Sequence, residues 1–228
     1  MAVHERPVRV ASGSVSLEGN LVMPDAAVGL VLFAHGSGSS RHSSRNRFVA
    51  QELNRAGLAT LLIDLLTVEE EAVDMRTGHL RFDIVLLAER LVGAADWLVQ
   101  NPDTRKLSIG CFGASTGAAA ALVAGALRAD IIRAIVSRGG RPDLADTALP
   151  QVRAPTLLIV GGEDHAVIRL TRAAYDQLRC EKQLLIVPGA THLFEEPGSL
   201  EEVARLARDW FTHHLAGDLR EEKKTVRR

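Results

Sequence analysis

The chain has 228 residues, 46% hydrophobic and 24% charged, close to soluble globular averages. This excludes a collagen-like, disordered or low-complexity protein and favours one α/β domain or barrel with a sizeable core. With 27 basic against 28 acidic side chains the net charge is −1, so no global field draws the chain to nucleic acid or an anionic membrane. Two cysteines, Cys111 and Cys180, are too few for a disulfide scaffold.

The first ten residues, Met1 to Val10, carry charges but no apolar signal core, and no apolar run reaches the roughly 18 residues of a membrane span. The expectation is a cytoplasmic chain. Val8–Ala11 and Val15–Met23 alternate around Ser12-Gly13, which predicts an antiparallel hairpin added at one sheet edge. Gly29–Ala34 follows as a continuous apolar run. Asn46–Ala56 then sets Phe48, Val49, Leu53 and Ala56 on one helical stripe. Ala59–Asp64 is a second apolar run, and the acidic stretch Leu65–Arg81 is the candidate for a short cover over the site. Phe82–Val99 reads as a long amphipathic helix with Ile84, Leu87, Leu91, Ala95 and Leu98 at helical spacing.

Further runs at Lys106–Phe112, Ala134–Ser137, Pro155–Gly161 and Gln183–Pro188 alternate with helical patterns at Thr116–Leu127, Ile168–Leu178 and Leu200–Leu215. Ser199 is the cap candidate of the last helix, ahead of Glu201 and Glu202. Apolar runs without alternation are what strands covered on both faces look like, so the pattern predicts about eight strands and six helices in an open, doubly wound, mostly parallel sheet. The seventeen residues between Ser137 and Pro155 leave no room for a lid domain. Residues 1–216 read as one domain, and Gly217–Arg228 as a charged, frayed tail.

The strongest local signal is Gly113-Ala114-Ser115-Thr116-Gly117, a G-x-S-x-G placed between a buried strand and an Ala-rich helix. That setting makes a tight turn which presents the Ser115 hydroxyl at the sheet's C-terminal edge. A serine needs a base, and the base needs an orienting acid. Asp164 follows the strand Pro155–Gly161, and His192 follows the next one. All three then stand at the strand ends where ligand sites form, in the chain order Ser, Asp, His. Glu163 and His165 compete with their neighbours for these roles, and Asp143 is an alternative acid. The backbone N–H groups of Thr116 and of Ser37, in His35-Gly36-Ser37-Gly38-Ser39-Ser40, are the expected oxyanion donors.

Arg41, Arg45 and Arg47 cluster around the start of the first helix, where cations oppose the helix dipole, and Arg138 and Arg141 follow a strand on the same edge. Salt bridges to Asp64, Glu69–Glu71 or Asp143 are one expectation. The other is that Arg41, Arg45, Arg138 or Arg141 binds a carboxylate or phosphate on the substrate. Cys111 reads as core packing and Cys180 as an incidental thiol. No metal-ligand cluster, Walker motif or dinucleotide glycine pattern is present, so no cofactor is expected.

On HGSGSS, GASTGA, GGEDHAV and PGATHLF the chain resembles the α/β-hydrolase fold, and within it the lidless dienelactone-hydrolase-like group, from about Val8 to Leu215. It is also similar to the hydrolase half of bacterial proteins fused to a phosphoribosyltransferase, and no phosphoribosyltransferase segment stands in these 228 residues. The resemblance implies a serine hydrolase of small, soluble carboxylic esters or lactones. It departs from dienelactone hydrolases at Ser115, where they use a cysteine, and this separates the expected substrate from the dienelactone itself. Two other outcomes stay open: an acyltransferase or perhydrolase on the same acyl-enzyme, or a non-catalytic binding module. Oligomeric state is not legible.

Overall fold

The structure, a computed structural model, describes residues 3–216. The tail expected at Gly217–Arg228 lies outside the described residues. Eight strands form one sheet: β1 (Val3–Ser12), β2 (Val15–Pro24), β3 (Leu30–Ala34), β4 (Ala59–Ile63), β5 (Ile109–Ala114), β6 (Ile132–Arg138), β7 (Thr156–Gly161) and β8 (Lys182–Val187). Their spatial order is β1-β2-β4-β3-β5-β6-β7-β8. β1 and β2 pair antiparallel, as do β2 and β4, and the remaining pairs are parallel. The hairpin therefore caps one edge, as the alternation predicts. Its two-residue turn is Gly13-Ser14 rather than Ser12-Gly13, because Ser12 pairs with Val15 and Gly13 takes φ +59°.

Six α-helices cover the sheet among the described residues: α1 (Ser44–Arg55), α2 (Val68–Thr77), α3 (Ile84–Gln100), α4 (Thr116–Leu127), α5 (His165–Gln177) and α6 (Ser199–Leu215). A 3-10 turn spans Leu80–Phe82 and 3-10 turns run from Pro142 to Gln151. None of the helices is long and apolar enough to cross a membrane.

Every residue of β3, β4, β5 and β7 is buried, and the strand period of two sends alternate side chains to opposite faces. Leu30, Leu32, Leu61 and Cys111 join α3 and α4 in one core, while Val31, Phe33, Leu62 and Phe112 join α1 and α6 in the other. The rings of Phe33 and Phe112 sit 4.9 Å apart. Each fully buried Leu or Phe contributes roughly 1.5–3 kcal/mol, which makes the two cores the platform that holds the strand ends in register.

One local expectation changes. Ser199 is the first residue of α6, not its cap; Gly198 caps it in the left-handed conformation at φ +83° with no side-chain bond. The acidic stretch Leu65–Arg81, the candidate cover, contains α2. Thr67 caps that helix through a capping box, its hydroxyl accepting from the Glu70 N–H (3.2 Å) while the Glu70 carboxylate accepts from the Thr67 N–H (2.8 Å). Gly78 ends it at φ +69°.

Candidate active site

The C-terminal ends of β3, β5, β6, β7 and β8 open on one edge of the sheet. Between β5 and α4 the chain reverses at Ser115, which holds φ +51° and ψ −122°. Gly117 is forced there: a Cβ would stand 2.5 Å from the His35 carbonyl oxygen and collide with that of Ala34. The turn is tied down on both sides. The Ser115 N–H donates to the Arg138 carbonyl (3.3 Å), and the Ser115 carbonyl accepts from Arg141 (3.0 Å) and Ala118 (3.1 Å).

Asp164 ends the β7 loop as the N-cap of α5, and its two carboxylate oxygens are divided. Oδ1 accepts from the Val167 N–H at 3.4 Å, and Oδ2 accepts from His192 Nδ1 at 2.6 Å. A ring whose Nδ1 carries the hydrogen leaves Nε2 as a free base. Asp164 is the more shielded partner, 13% exposed against 39% for His192. Of the alternative acids, Asp143 is held bidentately by Arg141 at 2.9 and 2.8 Å, and Glu163 is fixed in the loop by its backbone N–H, which donates to the Ala190 carbonyl at 3.0 Å. His165 is the first residue of α5.

Ser115 and His192 face a common cavity of about 260 Å³ with Gly36, Ser37, Arg45, Asn46, Arg138 and Gly139 among its walls. The loop after β3 packs directly on the serine, since a Cβ on Gly36 would lie 2.9 Å from that of Ser115. His35 fixes that loop. Its Nε2 accepts from the Leu65 N–H (3.1 Å), so Nδ1 bears the hydrogen and donates to the Gly36 carbonyl (3.0 Å). Burial pushes its pKa down, against weaker opposing effects of that carbonyl, Asp64 and Glu71. Behind the same loop lies a second, much smaller space of about 30 Å³, lined by Ser37, Leu65, Leu66, Leu87 and Thr116. That is room for a water molecule or two.

The arginines divide. Arg41 pairs with Asp64 and Arg141 with Asp143, and neither lines the Ser115 cavity; Arg47 lines a separate surface groove with Arg41. Arg45 lines the cavity and reaches the exposed Glu195 at 3.1 Å. Arg138 also lines it, is 7% exposed, and has no hydrogen-bond partner for Nε or Nη1 among the described residues. Burial, and then Arg45, push its pKa down to about 10; it stays charged at neutral pH. Cys111 is fully buried, with its thiol pushed up to about 12 by burial, and such a thiol is inert.

Two features escape sequence reasoning. Asp74, on α2, is 2% exposed and accepts from the N–H groups of Leu80 (2.7 Å) and Arg81 (3.2 Å) and from the Arg81 guanidinium; the capping box and Gly78 were the available signals for its helix. Phe194 holds φ +57° two residues after His192, its ring 5.9 Å beneath the Arg138 guanidinium. Nothing local in the sequence marks that conformation.

Comparison with known proteins adds the family. The model of the dienelactone hydrolase family matches residues 17–215. The crystal structure of a dienelactone hydrolase from Anabaena variabilis superposes with a TM-score of 0.92 at 64% identity, covering 93% of this chain and 99% of that one. A protein of Mycobacterium tuberculosis named "putative phosphoribosyl transferase" is 56% identical over 215 residues, which are 94% of this chain and 48% of that protein. The chain thus spans about half the length of the curated relatives it matches. Est1E from Butyrivibrio proteoclasticus shares the fold at 18% identity, with a TM-score of 0.75 over 91% of this chain and 98% of its own.

Proposed function

The chain belongs to the dienelactone hydrolase family, and from that premise we propose that it is a serine hydrolase of small carboxylic esters or lactones. Ser115 attacks the carbonyl carbon while His192 Nε2 takes its proton. The same proton then passes to the departing alcohol, and water activated by His192 releases the acid from Ser115. Asp164 holds the imidazole in the tautomer with Nε2 free and stabilises it when it is charged. The N–H groups of Thr116 and Ser37 hold the developing oxyanion.

One observation carries this reading: the Asp164–His192 pair at 2.6 Å opens on the same cavity as a serine held at positive φ.

Hydrolysis of p-nitrophenyl acetate, butyrate and decanoate by the purified protein tests the proposal, with Ser115→Ala as control. The rate is expected to fall with chain length and to vanish in the variant, and a fluorophosphonate probe is expected to label only the parent. Equal rates for parent and Ser115→Ala would overturn it.

A further inference from the structure

Cations buried beside an apolar core are costly unless an anion meets them. Four of the nine buried side-chain polar atoms without a partner among the described residues belong to residues that line the Ser115 cavity: Arg45 Nε, Asn46 Oδ1, Arg138 Nε and Arg138 Nη1. Three other arginines around this edge differ. Arg41 and Arg141 each have a carboxylate, and Arg81 has Asp74. The Phe194 ring lies 5.9 Å from the Arg138 guanidinium, and a ring quadrupole is a weak substitute for a counter-ion. Arg45 is close enough to Arg138 to depress its pKa, so two like charges share one cavity. The carboxylate that Arg45 reaches, Glu195, has a side chain 63% exposed and holds it from the rim.

The position of this charge relative to the chemistry says which half of an ester carries the anion. His192 must deliver its proton to the departing oxygen, so the alcohol half lies on the His192 side. That side is the 260 Å³ cavity with Arg45 and Arg138. The 30 Å³ space behind the oxyanion loop, walled by Leu65, Leu66 and Leu87 among others, borders neither Ser115 nor His192 and carries no such pair of cations.

Resting on the serine-hydrolase reading, we propose that the substrate is a short-chain ester of an alcohol that carries a phosphate monoester, with the phosphate held by Arg138 and Arg45. Two guanidiniums lining one cavity match a dianion better than a single carboxylate, and a guanidinium can meet phosphate oxygens bidentately. The phosphate is a handle and is not transferred. The Ser115 Oγ–acyl carbon bond forms as the acyl carbon–alcohol oxygen bond breaks. The Ser115 proton passes through His192 to that oxygen, and the phosphorylated alcohol leaves. Water then adds to the acyl carbon, its proton goes through His192 back to Ser115 Oγ, and a short carboxylic acid departs.

The test compares 2-acetoxyethyl phosphate with the uncharged 2-methoxyethyl acetate and the monoanionic 3-acetoxypropanoate, following acetate release. A hydrogen bond to a charged group contributes roughly 1.5–3 kcal/mol, or about 10- to 100-fold. The parent is expected to prefer the phosphorylated over the uncharged ester by that factor in kcat/KM, mainly through KM. In Arg138→Gln the ratio of the two, each variant normalised to its own rate on the uncharged ester, collapses toward one. Arg138→Lys restores part of it, and Arg205→Gln, which removes an exposed charge on α6, leaves the ratio alone.

Inorganic phosphate is expected to inhibit the parent competitively and to bind Ser115→Ala by calorimetry, and both readings survive any misfolding of the Arg138 variants. Neutral esters cleaved with no preference for the phosphate ester, or no phosphate binding, would overturn this inference and leave the hydrolase reading intact. A carboxylate ester cleaved as well as the phosphate ester would overturn the dianion assignment. Loss of activity on every ester, with phosphate still bound by Ser115→Ala, would sink the hydrolase reading instead.

Discussion

Asp164 has two tasks that substitution can separate. One carboxylate oxygen caps α5 through the Val167 N–H at 3.4 Å, and the other accepts from His192 Nδ1 at 2.6 Å. Asparagine caps a helix about as well as aspartate, so Asp164→Asn keeps the first contact. It lacks the negative charge and presents an amide that can donate to the ring, which then favours the tautomer with the hydrogen on Nε2, the atom that has to be free. The analogous exchange in the serine-protease triad lowers kcat by about 10⁴, equal to about 5.5 kcal/mol of transition-state stabilisation. Asp164→Ala loses both contacts. Removal of an N-cap costs about 1 kcal/mol, and in a chain of this size that is about 2–4 °C in Tm. The two variants should therefore match in kcat/KM on p-nitrophenyl acetate, while only Asp164→Ala melts lower than the parent. An Asp164→Asn enzyme retaining more than a tenth of the parent's activity would refute the reasoning and return the acid's role to Asp143 or Glu163.

Two further outcomes follow from the packing around the same edge. Gly117→Ala places a Cβ against the Ala34 and His35 carbonyls, and since backbone cannot yield cheaply it should lose about 1–3 kcal/mol, read as a lower denaturant midpoint with unchanged m-value; a midpoint equal to the parent's would show that the loop after β3 can retreat. His35 gives a pH dependence with a defined sign. Its folded pKa lies below the ordinary value because of burial, so on acidification the unfolded chain takes up the proton first, near pH 6.5. Its contribution to stability is present above that pH and is lost as pH falls through 6.5 toward the folded value. Denaturant midpoints at pH 7.5 and 5.5 should differ more for the parent than for His35→Asn, and equal differences would remove His35 as the cause.

Much of the fold was legible because its strands are buried on both faces: runs such as Leu30–Ala34 and Thr156–Gly161 need no alternation to be recognised. The turn at Ser115 between β5 and α4 was legible because Gly113 and Gly117 flank a serine at a strand-to-helix junction. The helix α2 was harder. Val68, Val73 and Met75 are its exposed apolar side chains and Asp74 is its buried residue, the reverse of what amphipathic reading looks for; its visible marks are the Thr67–Glu70 capping box and Gly78. Ser199 looked like a cap because serine favours that position, yet Gly198 reaches the left-handed conformation the chain needs there. The partition of the arginines could not be read at all. Which cation meets Asp64 or Asp143 and which stays alone depends on distances across the sheet edge, and no spacing along the chain encodes them.

Ser115 occupies a backbone conformation that glycine enters freely and other residues enter at a cost of about 1–3 kcal/mol. The surrounding turn already uses glycine at 113 and 117, where bulk is forbidden, and withholds it at 115, where only φ argues for it. A chain optimised for folding alone would carry glycine at all three positions. Ser115→Gly should accordingly be the unusual substitution that abolishes turnover while raising the melting temperature. The stability forgone at this one position is a measure of what the hydroxyl is worth to the organism that keeps it.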